Sequence, residues 1–367
     1  MNIAIIGNNL TGLTLAKALV NKKINVTLFY KFNVNSVKTN RCIGITEKNL
    51  EFFYEKIAKI DKKFLKSINE IGIYFEENHQ RETLNFQKKN LVLFSTIEIE
   101  NLFFTLRSKL KKEKLFKEKK IKNKNFYDLI IKDKKYSLII NCEKNNNLIK
   151  DYLNQSYKKD YKSEAITCNL NHKKIPNNKA IQIFTKFGPL AFLPTSHNQT
   201  NVVFSMYNQK KKYTNKEILK IISTYNKNYT IKKVSKIERA KLKFFSARKY
   251  YFGKVLLFGD ILHQIHPLAG QGFNMTLRDL EILILIIEKR INLGLNLDEA
   301  VLEDFEKKAK HYNFIYSSGI NFLQEFFKFD SRYKNKISKK IFNFFGKNKS
   351  LNNFFIRVAE KGININY

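Results

Sequence analysis

Gly259-Asp260-Ile261-Leu262-His263-Gln264-Ile265-His266-Pro267-Leu268-Ala269-Gly270-Gln271-Gly272-Phe273-Asn274 is the stretch that decides how this chain folds. It follows Val255-Leu256-Leu257-Phe258, an apolar run that reads as a buried strand. It leads into residues 275–290, apolar on nearly every face, which read as a buried helix. The motif is therefore strand, loop, helix start. Asp260 at the strand end can accept hydrogen bonds from sugar or ribityl hydroxyls. The Gly270-Gln271-Gly272 turn leaves backbone N–H groups uncovered where a helix begins, a place that favours negative charge. His263 and His266 do not make a metal pair: nothing nearby completes a zinc set, and no Cys lies close in sequence.

The first thirty residues point the same way. Asn2-Ile3-Ala4-Ile5-Ile6 reads as a strand, Gly7-Asn8-Asn9-Leu10-Thr11-Gly12 as a turn, residues 13–21 as a helix and residues 24–29 as a second strand. This is a β-α-β unit with its Gly-rich turn in the dinucleotide position. Gly12, with Ala16 behind it, lets the helix approach the sheet. Two positions depart from the fingerprint. Its middle glycine is Asn9, and the acid that ends the second strand is replaced by Tyr30. Asn tolerates a left-handed backbone better than other non-Gly residues, so the turn is expected to survive in that conformation. Tyr30 offers a ribose a hydroxyl instead of a carboxylate, a loss of about 1–3 kcal/mol. A secretory signal is a poor reading of this start, because no basic residue precedes the apolar run and Asn8-Asn9 interrupts it.

The segment 259–274 resembles the second FAD-binding motif of the flavin-dependent aromatic hydroxylases, and more narrowly that of the ubiquinone-biosynthesis hydroxylases, whose pattern is close to GD-x-x-H-x-x-HP-x-x-GQG-x-N. Phe187-Gly188-Pro189-Leu190-Ala191-Phe192-Leu193-Pro194 is similar to the GPLA-x-LP segment of the same branch. Arg41 matches a family Arg near the cofactor. After the strand at 136–141 the family carries an Asp-Gly pair; here the aligned residues are Glu143 and Lys144. The resemblance implies an α/β chain: a Rossmann-like FAD-binding domain of the glutathione-reductase-like, para-hydroxybenzoate-hydroxylase type, with an inserted β-sheet substrate domain and C-terminal helices. It implies hydroxylation of a polyprenylated ubiquinone precursor through a C4a-hydroperoxyflavin, with FAD, O2 and NAD(P)H or another electron donor. It places His266, Pro267, Gly270, Gln271 and Gly272 at the catalytic loop. It places Gly7, Asn9, Gly12, Tyr30, Arg41, Glu143, Gly259, Asp260, Gly272, Phe273 and Asn274 around the cofactor. Backbone N–H groups at residues 272–274 would stabilise negative charge on the reduced flavin. The region 192–194 would line part of a channel for the prenyl tail. No residue stands out as a base for the phenol, and a structural role suits His263 and His266. Two other readings remain open: a degenerate relative serving as a scaffold in a biosynthetic assembly with other ubiquinone-biosynthesis proteins, and a hydroxylase of a soluble phenol.

Composition bounds the rest. A chain of 367 residues, 43% hydrophobic, is long enough for two substantial domains. The family pattern divides it into a discontinuous cofactor domain (1–62, 93–160 and 248–310), a substrate sheet (63–92 and 161–247) and a helical end (311–367). Residues 111–124 read as a Lys-rich surface segment. The formal charge is +36, yet only nine of the 68 basic residues are Arg, and no nucleic-acid-binding motif accompanies them. The richness in Lys, Asn, Ile and Phe with Trp absent fits an AT-rich coding sequence as the main cause of the charge; attraction to an anionic membrane surface, at the inner face of the cytoplasmic membrane, would be its consequence, and no specific nucleic-acid partner is expected. Three Cys without a CxxC spacing point to a reducing, cytoplasmic setting. No apolar run reaches the ~20 residues that cross a bilayer. The aromatic end, with Phe322, Phe326, Phe327 and Phe329 and then 341–345 and 354–357, reads either as helical core or as an amphipathic face for a membrane or partner enzyme.

Overall fold

The computed structural model describes residues 1–32, 38–76, 82–87, 91–122, 125–144, 146, 156–266, 270 and 272–332, less residues 208–211. The chain opens with β1 (Asn2–Ile6), α1 (Leu10–Asn21), β2 (Asn25–Tyr30), β3 (Cys42–Thr46) and α2 (Glu47–Lys56). It continues with β4 (Lys66–Ile68), β5 (Glu70–Phe75), β6 (Leu84–Gln87), β7 (Phe94–Glu98), α3 (Ile99–Leu110), β8 (Phe116–Lys120), α4 (Phe126–Lys132) and β9 (Leu138–Asn141). Then come β10 (Ser156–His172), β11 (Lys179–Thr185), β12 (Gly188–Pro194), β13 (Gln199–Tyr207), α5 (Asn215–Tyr225), β14 (Ile231–Val234) and β15 (Glu238–Ala247). It closes with β16 (Tyr251–Phe252), β17 (Val255–Leu257), β18 (His263–Gln264), α6 (Gly272–Asn292) and α7 (Glu299–Arg332).

Three sheets result. The first has the order β16-β17-β9-β1-β2-β8 and is parallel except at β16. Its central strands are apolar throughout because both faces are covered: Ile3, Ile5, Leu28, Leu138, Ile140 and Leu256 have no more than 1% exposure. α1 is buried from Gly12 to Val20. Even Lys17 is enclosed, held to Glu113 at 3.0 Å and to the Asn21 side chain. β8 is a correction to the sequence reading: part of the Lys-rich surface segment is a strand, parallel to β2. It lies at the sheet edge, where outward Lys residues are tolerated and discourage pairing with another chain.

The second sheet has the order β18-β15-β10-β13-β12-β11-β5-β6, with β14 also pairing β10. Only β5 and β11 run parallel within it. α5 covers one face, with Ile218, Ile222 and Tyr225 packed onto Ile181, Ile183, Phe192 and Phe204. The third sheet, β3-β7-β4, is antiparallel. Thr96 in β7 donates to the Pro194 carbonyl of β12, tying this small sheet to the large one. α7, 34 residues long, runs from α6 toward the edge of the large sheet, where Phe326 meets Phe75 and Phe184. Among the described residues no helix is long and apolar enough to cross a membrane.

Candidate functional site

Parallel sheets bind ligands in the crevice beyond their carboxyl ends, and there the first sheet brings its two turns together. Gly7 holds φ +111, and a Cβ on it would lie 3.2 Å from Glu143 Cβ. A Cβ on Gly12 would lie 2.0 Å from the Gly7 carbonyl oxygen. Any side chain there would push α1 off the strand. Asn9 differs from the expectation. Its backbone is extended (φ −80, ψ 177), with no left-handed turn. Its Oδ1 accepts the Gly12 N–H at 2.9 Å and its Nδ2 donates to the Cys142 carbonyl at 2.6 Å. Asn is a favoured N-cap, and this role sets its conformation. The cap occupies one of the amides that a pyrophosphate would otherwise meet.

Tyr30 ends β2, half-buried. Glu143 follows β9 by two residues, on the other side of β1, and is half-buried, with Oε2 enclosed and unpartnered among the described residues. Desolvation raises its pKa, and the nearby Lys31 ammonium acts against that rise. Lys144 turns toward the other turn and donates to Gln264 Oε1 at 2.9 Å. Arg41 is exposed, and its carbonyl accepts from the Ile99 amide.

The second turn locks onto the first. Phe258 N–H donates to Asn141 O. Gly259 holds φ +77, and a Cβ there would lie 2.5 Å from Thr11 Cγ2 in α1. Asp260 is exposed in the next turn. His263 is buried and its Nε2 lies 2.6 Å from Asp279 Oδ2 in α6. Asn313 of α7 donates to the same carboxylate oxygen at 3.2 Å, and Arg278 donates to Asn313 at 2.9 Å. His263 thus pins β18 to both closing helices and does not act with His266. Pro267, Leu268, Ala269 and Gln271 lie outside the described residues. Gly270 holds φ +63. Gly272 begins α6, and a Cβ built on it meets nothing within 4 Å among the described residues. Phe273 packs on the core. Asn274 is a clasp: its side chain accepts from Thr46 N–H at 3.1 Å and from Asn49 at 2.8 Å, and donates to the Gly44 carbonyl at 2.8 Å.

These residues fit a flavin dinucleotide in one half better than the other. Space over Gly272 at the start of a 21-residue helix suits an anionic or carbonyl edge. The first turn is narrower, because Asn9 fills it. Phe192, expected at a tail channel, packs 5.9 Å from Tyr229 and lines a cavity with Tyr74, Ile181 and Tyr225; strand alternation turns Leu193 the other way. Sequence reasoning missed Asp279 and Asn313. The one signal for Asp279 was an acid three residues before Ile282 and one before Leu280, on the stretch of α6 that is buried.

Residues 156–294 match the family described as FAD binding domain. Among curated proteins, the chain is 26% identical over 179 residues to the 3-demethoxyubiquinol 3-hydroxylase of Escherichia coli (strain K12), covering 44% of this chain and 43% of that one. It is 37% identical over 92 residues to the mitochondrial ubiquinone biosynthesis monooxygenase COQ6 of Saccharomyces cerevisiae, covering 24% of this chain and 19% of that one. The matches thus span less than half the length of these relatives. Among solved structures, p-nitrophenol 4-monooxygenase PnpA from Pseudomonas putida superposes with a TM-score of 0.78 at 11% identity, covering 100% of this chain and 98% of that one. HpxO of Klebsiella pneumoniae, complexed with FAD and uric acid, gives 0.75 at 12%, covering 98% and 96%. Fold and site define the class: an FAD-binding protein with the architecture of the aromatic monooxygenases. Within that class its sequence matches among curated proteins run to ubiquinone-biosynthesis hydroxylases, each over less than half of the chain.

Proposed function

We propose that the protein is an FAD-dependent monooxygenase that hydroxylates the aromatic ring of a polyprenylated ubiquinone precursor. The observation that carries this reading is the second turn, pressed onto the first through Gly259 and Thr11 and opening onto free space at Gly272. FAD, reduced by NAD(P)H or another donor, supplies the oxygen activation that no side chain can. The chain's own residues bind and orient. Gly259 and Asp260 hold the ribityl side, and the amides of residues 272–274 face the ring edge. Gly7, Gly12, Tyr30, Arg41 and Glu143 border the adenosine side. The division of labour follows the family pattern: first sheet for cofactor, second for substrate, C-terminal helix as a cover.

The same reading includes peripheral membrane contact, since a polyprenyl substrate resides in the bilayer. Phe314, Phe322 and Phe329 on α7 are 66%, 68% and 51% exposed. Their spacing puts them within an arc of about 80° on the helix. With the +36 charge they suit an anionic surface. The scaffold reading has one observation in its favour: Asn9 occupies the Gly12 amide.

The test is titration of the purified protein with FAD, followed by turnover with NAD(P)H, O2 and a short-chain prenyl phenol. One-to-one flavin binding and a product heavier by one oxygen atom support the enzyme. Absence of flavin binding at saturating FAD leaves the scaffold. Co-sedimentation with anionic but not neutral vesicles, lost on Phe322→Ser, checks the membrane face.

A further inference from the structure

β10 carries a two-residue irregularity: its pairing with β15 shifts between Asp160 and Ser163. Lys162 there holds φ +48, rare for a residue with a side chain, and its amide is tied to Asp160 Oδ1 at 2.7 Å. The effect is to swing Tyr161 inward, to 0% exposure. Such bulges re-aim side chains beside functional sites. Tyr161 meets His266 edge to face, with ring centroids 5.2 Å apart and planes at 82°. His266 is the last described residue before the loop that leads to Gly270 and Gly272.

Around this pair the surface is apolar: Leu242, Phe244, Ile265 and Met275, with Tyr316 and Ile320 of α7 beyond. Inside it sit two enclosed ring nitrogens with no hydrogen-bond partner among the described residues, His266 Nδ1 and Nε2, beside the enclosed Tyr161 Oη, which the His266 backbone amide faces. Buried polar groups are nearly always paired. Two unpaired ring nitrogens beside a buried hydroxyl call for a polar occupant. Burial and the facing Lys328 ammonium push the His266 pKa down to about 3, so its ring is neutral and carries one donor and one acceptor. The Tyr161 hydroxyl also offers one of each. A phenolic hydroxyl set in an aromatic ring matches both the polar pair and its apolar collar.

We infer that Tyr161 and His266 form the pocket for the ring hydroxyl of the aromatic substrate, fixing which ring carbon faces the catalytic loop. This rests on the hydroxylase reading, and it makes both residues positioning groups with no covalent part. α7 roofs the pocket: Lys328 donates to the Tyr161 carbonyl at 3.1 Å, and Glu325 pairs with Lys159 at 3.0 Å.

The experiment compares 2-prenylphenol with its methyl ether, which cannot donate, by calorimetry on the full chain, with FAD binding measured separately. Wild type should prefer the phenol by about tenfold or more. Tyr161→Phe should reduce that ratio to near one, with ether affinity and FAD affinity unchanged. His266→Gln, which keeps a donor and an acceptor, should retain more of the preference than His266→Leu. Full discrimination by Tyr161→Phe would overturn the pocket. So would a wild type that binds FAD yet treats the two probes alike. Discrimination without any FAD binding would leave the pocket standing and remove the hydroxylase reading instead.

Discussion

Gly12 and Gly272 each sit near the start of a helix that follows a strand, yet their surroundings are opposite. Where Gly12 would carry a Cβ there is the Gly7 carbonyl, 2.0 Å away; where Gly272 would carry one there is nothing within 4 Å. The first glycine lets protein approach protein. The second leaves room for something that is not protein. The capping follows suit, since Asn9 seals the start of α1. At the first turn the Asn9 side chain takes the Gly12 amide and the Cys142 carbonyl; at the second the helix start has no such cap among the described residues.

Substituting each glycine by valine breaks this comparison most directly. Gly12→Val drives a branched side chain into backbone, where overpacking costs about 3 kcal/mol or more. We expect a large fall in the denaturant midpoint, or no soluble protein. A Cβ at Gly272 meets no heavy atom within 4 Å among the described residues, so Gly272→Val should leave the unfolding free energy within about 0.5 kcal/mol of wild type. It should nonetheless weaken FAD binding by at least about tenfold, as judged by flavin titration. Equal effects of the two substitutions on stability would show that the contrast is not real.

The contrast was partly legible beforehand. Strand, turn and helix periodicity located both units, because parallel strands covered on both faces read as unbroken apolar runs. The spacing of Gly7 and Gly12 foretold close packing. What the sequence could not convey was the use of side chains. Asn9 was legible as a poor replacement for glycine in a left-handed turn; that it caps α1 in an extended conformation depends on the Cys142 carbonyl, 133 residues away. Asn274 belongs to the motif by spacing, yet its side chain binds β3 and α2. His263 and His266, three residues apart, go to different partners, since a two-residue strand points them to separate places. The inward turn of Tyr161 depends on a register shift that no periodicity announces.

Between the two turns lies His266, which allows a test through pH. Its folded pKa of about 3 is below the ordinary value of 6.5, with burial as the first cause and Lys328 as the second. The unfolded chain therefore takes up a proton first. The stabilising effect of keeping this ring neutral is fully present above about pH 6.5 and is lost as pH falls toward 3. Each pH unit in that window costs at most about 1.4 kcal/mol. At pH 5 the wild type should have lost roughly 2 kcal/mol from this group, and His266→Leu should lose that much less. Denaturant midpoints at pH 7.5 and pH 5 measure the difference. A parallel loss in both proteins would mean that His266 is not held neutral by its surroundings.

The smallest effects belong to the first turn, where the narrowing can be undone. Asn9→Gly removes the bond to the Cys142 carbonyl, for about 1 kcal/mol of stability, because glycine itself is a tolerable cap. It also frees the Gly12 amide. FAD should then bind more tightly, by about threefold to tenfold. Tyr30→Glu restores an acid at the end of β2 and should tighten FAD by a similar factor, with the gain strongest at low salt because the site is half-exposed. Glu143 limits that gain. Tyr30 ends one strand that flanks β1 and Glu143 follows the other, so acids at both positions would oppose each other, and Tyr30→Glu combined with Glu143→Gln should outperform either change alone. If neither Asn9→Gly nor the double variant tightens FAD, then Asn9 and Tyr30 border no cofactor contact, and the first turn serves only to pack α1 on the sheet.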